Sequence, residues 1–131
     1  MNALEFEKEV RELRRRQRAF FNYRKDDPSR EKAKQHMREQ EELLRSVIEP
    51  VMATRTSREA HGEREQFFLL VVDMMKKQRE WARQGGGSWY MNPARDAEHT
   101  VDKWLKKWDE KREEEKRRAL EEEKKKQLEL F

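Results

Sequence analysis

The sequence predicts an all-α protein in which two tandem αα-hairpins form a small four-helix bundle, followed by a long charged C-terminal helix. Three observations lead to this prediction. The chain has 131 residues, of which 46% are charged, but only 3 prolines and 4 glycines, a balance typical of exposed helices. Its apolar residues recur at the helical spacing of three and four positions. The same pattern then occurs a second time, 61 residues later.

The first hairpin is predicted in residues 1–52 from two apolar stripes. The first stripe predicts an amphipathic helix from about Leu4 to Arg24. The segment from Asp26 to Ser29 interrupts it, and Ser29 is a candidate cap for a second helix, which we expect to end at Pro50. The stripe residues are Phe6, Val10, Leu13, Gln17 and Phe20 in the first helix, and Ala33, Met37, Gln40, Leu44 and Val47 or Ile48 in the second.

A second copy of the hairpin is predicted in residues 63–108, after a polar connector at residues 53–62. We interpret the pair as a duplication, and two such hairpins can bury their apolar faces against each other as a four-helix bundle. The segment from Gly85 to Pro93 is predicted as the loop of this hairpin. Gln17 and Gln78 occupy matching positions, and we expect their amides to form hydrogen bonds at the edge of the apolar seam. The stripe residues are Phe67, Val71, Met74, Gln78 and Trp81, then Ala97, Val101, Trp104 and Trp108.

Residues 109–126 are predicted to form a solvated helical stalk. Eight acidic and eight basic residues occur among these 18, without an apolar stripe. Four pairs place an acid four residues before a base, the orientation that stabilises an isolated helix. These pairs are Glu113/Arg117, Glu114/Arg118, Glu121/Lys125 and Glu122/Lys126.

The last five residues are Gln127-Leu128-Glu129-Leu130-Phe131. Three of them have large apolar side chains, which a solvated helix does not require. They resemble the motif that binds the bacterial sliding clamp (the beta subunit of DNA polymerase III), with the consensus Gln-Leu-(Ser/Asp)-Leu-Phe. Glu129 departs mildly from the consensus and keeps the acid. The resemblance implies a linear peptide whose Leu130 and Phe131 fill an apolar subsite of the clamp, while the Gln127 amide forms hydrogen bonds in a smaller one. Folding of these residues back onto the bundle, or self-association, is the alternative.

A fainter resemblance covers the hairpins. Val10 and Leu13, followed by Gln17-Arg18 and an aromatic residue, recur as Val71, Met74, Gln78-Arg79 and Trp81. This pattern resembles small uncharacterised helical proteins of phages and mobile elements, and the likeness implies an origin and no activity.

A nucleic-acid-binding surface is a further hypothesis. Arg11, Arg15 and Arg18 share one face of the first helix, and clustered cations of this kind bind phosphates. Lys76 and Arg79 repeat the feature in the third helix. Trp89 and Tyr90, in the predicted loop, could stack on unpaired bases. The alternatives are that the arginines pair with acidic neighbours within the bundle, and that the aromatic side chains pin the loop to its end.

The residue types needed for catalysis are scarce. The sequence contains no cysteine, no phosphate-binding Gly-Lys-Ser/Thr loop and no histidine pair at metal-ligand spacing. We therefore expect no enzyme activity, no cofactor and no metal. Without a signal peptide or an apolar run of membrane-spanning length, a cytoplasmic location is expected and no membrane partner.

Together these features predict a non-enzymatic accessory protein that binds the sliding clamp in DNA replication, DNA repair or phage and mobile-element propagation, with clamp inhibition as a variant. DNA is a second candidate partner, and the oligomeric state stays open. A helical nucleic-acid-binding module and a phage structural or assembly protein are the two alternatives.

Overall fold

The fold is all-α, as predicted. The structure is a computed structural model that describes residues 1–56, 59–85 and 88–130, without the side chains of residues 88–92. Within these ranges the chain forms four helices and no strand: α1 (Ala3–Asn22), α2 (Ser29–Thr54), α3 (Glu63–Arg83) and α4 (Ser88–Glu129). The helices of each hairpin pack closely, α1 on α2 and α3 on α4, which confirms the two-hairpin bundle.

Helix α1 begins with a reciprocal cap. The Asn2 side chain accepts a hydrogen bond from the Glu5 backbone N–H at 2.8 Å, and the Glu5 carboxylate accepts one from the Asn2 backbone N–H at 3.3 Å. Two donors that the first turn would leave without partners are thus satisfied. The cap fixes the start of α1, and with it the position of Phe6 and Glu7 at the end of the bundle.

Three expected boundaries differ from the structure. Ser29 is the first residue of α2 and does not cap it: Pro28 occupies the N-cap position without a side-chain cap, and the Asp27 carboxylate accepts a hydrogen bond at 2.9 Å from the Ser29 N–H. Helix α2 continues through Pro50 to Thr54. Pro50 has no N–H that could donate to the Ser46 carbonyl. Because both residues are exposed, a water molecule can donate to that carbonyl instead.

The predicted loop at residues 85–93 is also shorter than expected, because α4 already begins at Ser88 and includes Pro93. Pro93 lies in the first two turns of the helix. There its missing N–H removes only one of the earliest hydrogen bonds of the helix, which explains why the helix tolerates it.

The buried core follows the predicted stripes. Val10, Leu13, Leu44, Val71 and Val101 are fully buried, and aromatic rings extend the core toward the end where α4 leaves the bundle. There the Phe67 ring contacts the rings of Phe6 and Trp108, with centroids 6.1 and 4.7 Å apart. Leu105, which lies outside the predicted stripe of α4, is buried as well.

Residues at matching positions of the two hairpins meet in the centre of the bundle. The Phe6 and Phe67 rings are neighbours, and the amides of Gln17 and Gln78 exchange hydrogen bonds of 3.0 and 3.1 Å. Both pairs join residues 61 positions apart, so α1 and α3 run in the same direction and their side chains meet across the bundle. Contacts between equivalent residues are what two copies of one hairpin make around a twofold axis. This arrangement supports our interpretation of the repeat.

Beyond the bundle, α4 continues as a single exposed helix to Glu129. Residues 115–130 are all exposed. The predicted pair Glu114–Arg118 forms at 3.3 Å, whereas Arg117 pairs with Glu114 at 2.6 Å and with Glu121 at 3.7 Å. At 1.5 Å per residue, this exposed helix reaches roughly 20–25 Å past the bundle. None of the helices in the described ranges is long and apolar enough to cross a bilayer.

Adjacent leucines of α2 provide a test of the bundle. Leu44 is fully buried, whereas Leu43 is 41% exposed. We expect Leu44→Ala to lower the free energy of unfolding by about 2–5 kcal/mol, because it removes buried methyl groups and leaves a cavity. Leu43→Ala, the matched control, should cost less than about 1 kcal/mol. Urea unfolding followed by circular dichroism measures both, and equal losses would contradict the described packing.

Candidate functional site

A buried carboxylate joins three helices at the end of the bundle from which the stalk leaves. Glu7 of α1 is only 3% exposed. It accepts hydrogen bonds from Arg11 of α1, from Arg64 of α3 at 2.7 Å, and from Arg112 of α4 at 2.6 and 2.7 Å. The Arg112 guanidinium binds both carboxylate oxygens, the strongest geometry for such a pair. We call these four residues the Glu7 cluster.

The protonation state of Glu7 depends on this cluster. Burial alone would raise the pKa of Glu7, but hydrogen bonds from Arg112, Arg64 and Arg11 outweigh burial and lower the pKa from 4.5 to about 2. The carboxylate is therefore charged at neutral pH. The Arg64 guanidinium also lies 4.0 Å from the centre of the Trp108 ring, which links the charged cluster to the aromatic core.

The predicted arginine face of α1 lies against acidic groups. Arg11 contacts Asp109 at 2.7 Å in addition to Glu7, and Arg18 contacts Asp102 at 2.7 Å. Arg15 pairs with Glu12 within α1 at 2.5 Å. Two of the three cations thus connect α1 to α4, and the hypothesis that they bind nucleic acid stays a prediction with little support from the geometry.

Arg14, which the sequence does not single out, is the most buried arginine of this interface. Its guanidinium contacts Asp102 at 2.9 Å and Glu98 at 3.6 Å. Burial raises the pKa of Asp102, but hydrogen bonds and charge from Arg14 and Arg18 lower it overall. The only sequence signal for Arg14 and Glu7 is that each directly follows a buried stripe residue.

The amide pair of Gln17 and Gln78 confirms the expected hydrogen bonds at the seam. Arg14 donates to the Gln17 amide oxygen, and Gln78 donates to Glu98 at 2.9 Å. Burial raises the pKa of nearby Glu41, although a hydrogen bond from Gln17 and the charges of Arg45 and Arg38 partly offset this effect. These contacts satisfy buried polar groups and hold the two hairpins in register.

Lys76 and Arg79 lie on a different surface from the α1 arginines. Both are exposed and line a cavity of about 260 Å³ between α2 and α3. A second cavity, of about 430 Å³, adjoins it and shares Arg45, Met75 and Arg79. The structure therefore does not join the two predicted halves of the cationic surface. Trp89 and Tyr90 lie in α4, but their side chains are outside the described residues.

The predicted clamp-binding residues lie at the far end of the stalk. Leu128 is 77% exposed and Leu130 is 82% exposed, and Gln127 is exposed in the same last turn. Phe131 lies outside the described residues. Leu128 and Leu130 pack against no part of the bundle, so the described part of the tail gives no support to the alternative in which it folds back.

The described residues contain no candidate metal site. They include no group of three or more His, Asp or Glu side chains that could hold a metal ion. The carboxylates with strongly lowered pKa values are in ion pairs, with Glu7 in the cluster and Glu12 held by Arg15 and Arg16. No protein-family model, curated protein or solved structure matches this chain.

The Glu7 cluster predicts a defined response to acid. Because the pKa of Glu7 is lower in the folded state than the ordinary 4.5, its contribution to stability is complete at neutral pH. The contribution declines as the pH falls through 4.5 toward 2. We expect Glu7→Gln to lower the free energy of unfolding by about 3 kcal/mol at pH 7, because three guanidiniums lose their shared partner.

The difference from the unsubstituted protein should shrink as the pH falls toward 2, because Glu7 then becomes protonated in the unsubstituted protein as well. Urea unfolding at several pH values measures this, with Glu123→Gln on the exposed stalk as the control. A loss caused by Glu7→Gln that stays constant from pH 7 to pH 2 would show that the carboxylate charge is not what stabilises the bundle.

Proposed function

We propose that this protein is a non-enzymatic accessory factor that binds a bacterial sliding clamp through Gln127, Leu128, Leu130 and Phe131. The observation that carries the proposal is the exposure of Leu128 and Leu130 at the end of a helix that is otherwise charged. Full burial of one such side chain contributes about 1.5–3 kcal/mol, so a cleft that accepts these residues gains free energy that the isolated chain does not. Their pattern resembles the clamp-binding motif.

Binding requires the last helical turn to unwind. Leu128 and Leu130 are two positions apart, so a helix presents them on different sides and cannot place both in one cleft. This turn makes no contact with the bundle, and helix ends of this kind open at little cost in free energy. An extended peptide then aligns the two leucines and Phe131 with an apolar cleft, while Gln127 supplies the amide that sets the register.

The stalk separates the clamp-binding residues from the helical bundle. It holds the clamp-binding residues away from the bundle on a charged helix, so a bound clamp leaves the bundle surfaces free. Attachment raises the local concentration of the bundle near DNA that passes through the clamp. This role fits replication, repair or mobile-element propagation. Occupation of the cleft by the same residues would also exclude other proteins that use it, so inhibition is a variant of the same proposal.

The two alternatives receive less support from contacts. A nucleic-acid-binding module that uses the α1 face would require Arg11 and Arg18 to give up their carboxylate partners on α4. An assembly protein with a coiled-coil stalk would require an apolar stripe. Leu120 is the only large apolar side chain between residues 109 and 126, so the stalk offers no such seam.

Substitution of the two terminal anchors tests the proposal. We expect Leu130→Ala/Phe131→Ala to weaken binding to purified sliding clamp by about 30-fold or more, because each side chain fills the apolar subsite. The matched control is Leu120→Ala, which removes another exposed leucine from the stalk. Titration calorimetry measures the affinity, and circular dichroism should show unchanged helicity in both variants. Failure of the intact chain to bind clamp, or an equal loss in the control, refutes the proposal.

A processivity assay separates recruitment from inhibition. Primer extension by a clamp-dependent polymerase should be shortened by an inhibitor and unaffected by a recruited factor that shares the clamp ring with the polymerase. Where extension is shortened, the shortening should disappear with Leu130→Ala/Phe131→Ala. An effect that persists in this variant would place the responsible surface elsewhere in the molecule.

A further inference from the structure

An open groove separates α2 from α3. The helices within each hairpin pack closely, whereas α2 and α3 approach each other much less. Apolar side chains from both helices form the floor between them, and the two adjoining cavities lie along this opening. We call this surface the α2/α3 groove, and its floor residues are Ile48, Met52, Val72 and Met75.

Basic side chains surround the groove. Six basic residues line the two cavities, compared with three acidic ones, and of the acidic residues Glu98 already accepts a hydrogen bond from Gln78. Lys34, Lys76 and Arg79 form no ion pair with any side chain in the described ranges. The six are Arg30, Lys34, Arg38, Arg45, Lys76 and Arg79.

This distribution differs from that of the opposite side of the bundle. Between α1 and α4, the arginines contact carboxylates, as Arg11, Arg14 and Arg18 do. Beside the groove, Lys34, Lys76 and Arg79 form no ion pair with a described side chain, whereas Arg45 pairs with Glu42 at 3.1 Å and Arg30 lies over the Phe20 ring. Cations without an ion-pair partner are available to the carboxylates of an acidic ligand.

We propose that the α2/α3 groove binds an acidic amphipathic helix of a partner protein. Such a helix would lay its apolar face on Ile48, Val72 and the methionines, and its carboxylates would face the basic residues of the rim. Docking of a helix into a groove uses this division between an apolar floor and charged edges. Met37, Met52 and Met75 are unbranched and adapt to side chains of different shapes, which suits a peptide-binding surface.

Nucleic acid fits the same groove less well. Single strands bind where bases can stack on aromatic rings along the path of the backbone. The floor of the groove is aliphatic and thioether, and its aromatic residues, Phe20, Phe21 and Trp81, are confined to one end. Glu41 and Glu49 would also lie beside phosphates. Charge complementarity together with an apolar floor therefore favours an acidic peptide.

A peptide selection on the full chain tests the proposal. A random library of peptides of about 16 residues, long enough for about 24 Å of helix, would be selected for binding. We expect the selected sequences to be rich in Asp and Glu and to carry apolar residues three and four positions apart. Replacement of their acidic residues by lysine, with the apolar ones kept, should weaken binding by about 10-fold or more.

Charge reversal on the protein locates the site. Lys76→Glu/Arg79→Glu should weaken binding of the selected peptides by about 10-fold or more, because it places acids on the rim. Lys103→Glu/Lys106→Glu makes the same change in net charge on exposed positions of α4 and should have an effect of less than about 2-fold. Equal effects of the two variants, or selected peptides without a surplus of acid, would overturn the proposal.

Two further measurements complete the test. A single-stranded oligonucleotide that binds more tightly than the selected peptides, and that Lys76→Glu/Arg79→Glu releases, would assign the groove to nucleic acid and overturn the proposal. The peptides should bind Leu130→Ala/Phe131→Ala as tightly as the intact chain. Failure of clamp binding would therefore contradict only the proposed function, and failure of peptide binding would contradict only the proposal for the groove.

Discussion

The carboxylate of Glu7 is the constraint on which the arrangement of the helices depends. A charge removed from water needs partners close at hand, and Glu7 finds them in Arg11, Arg64 and Arg112. These residues come from α1, α3 and α4, so one acid sets the relative position of both hairpins and of the stalk. Because Arg64 also stacks on Trp108, the charged cluster and the aromatic core form one continuous contact. The chain has few aliphatic residues, and a thin apolar seam alone would define the packing of its helices only loosely. The Glu7 cluster makes this packing specific.

The same constraint explains how charge is distributed over the surface. The chain as a whole is nearly balanced, with 32 basic and 28 acidic residues, but the pairing is uneven. The α1/α4 side holds its arginines against Asp102, Asp109 and Glu7, and the stalk pairs its charges within one helix. Around the cavities between α2 and α3, by contrast, six basic residues line the surface and only three acidic ones do. A modest net charge of +4 conceals a locally basic groove with an apolar floor.

The fold could be predicted from the local periodicity of apolar residues. The ion pairs between residues distant in sequence could not be predicted. The stripe through Phe6, Val10 and Leu13 needs only the helical repeat, and the match between Gln17 and Gln78 follows from the duplication of that stripe. Glu7 is different, since it is one of 28 acids and its partners Arg64 and Arg112 lie 57 and 105 positions away. Which acid meets which base depends on helix neighbours that the pattern alone does not specify. For the same reason Arg11 and Arg18 resemble a phosphate-binding face in the sequence, although they contact α4 in the fold.

The Glu7 cluster also determines how the stalk leaves the bundle. Arg112 lies in α4 just beyond Trp108, where the helix parts from its neighbours, and its two hydrogen bonds to Glu7 hold that point in place. The stalk is a continuation of the same helix, so it extends from the bundle as a stiff spacer and not as a flexible linker. A stiff spacer restricts the distance between the bundle and whatever binds the far end, while the unwound last turn acts as a joint. A clamp held by Leu130 and Phe131 would therefore keep the α2/α3 groove within a fixed distance of the DNA. A partner bound in that groove would be positioned by the geometry of one helix, and the geometry would depend on the charge of a single buried carboxylate.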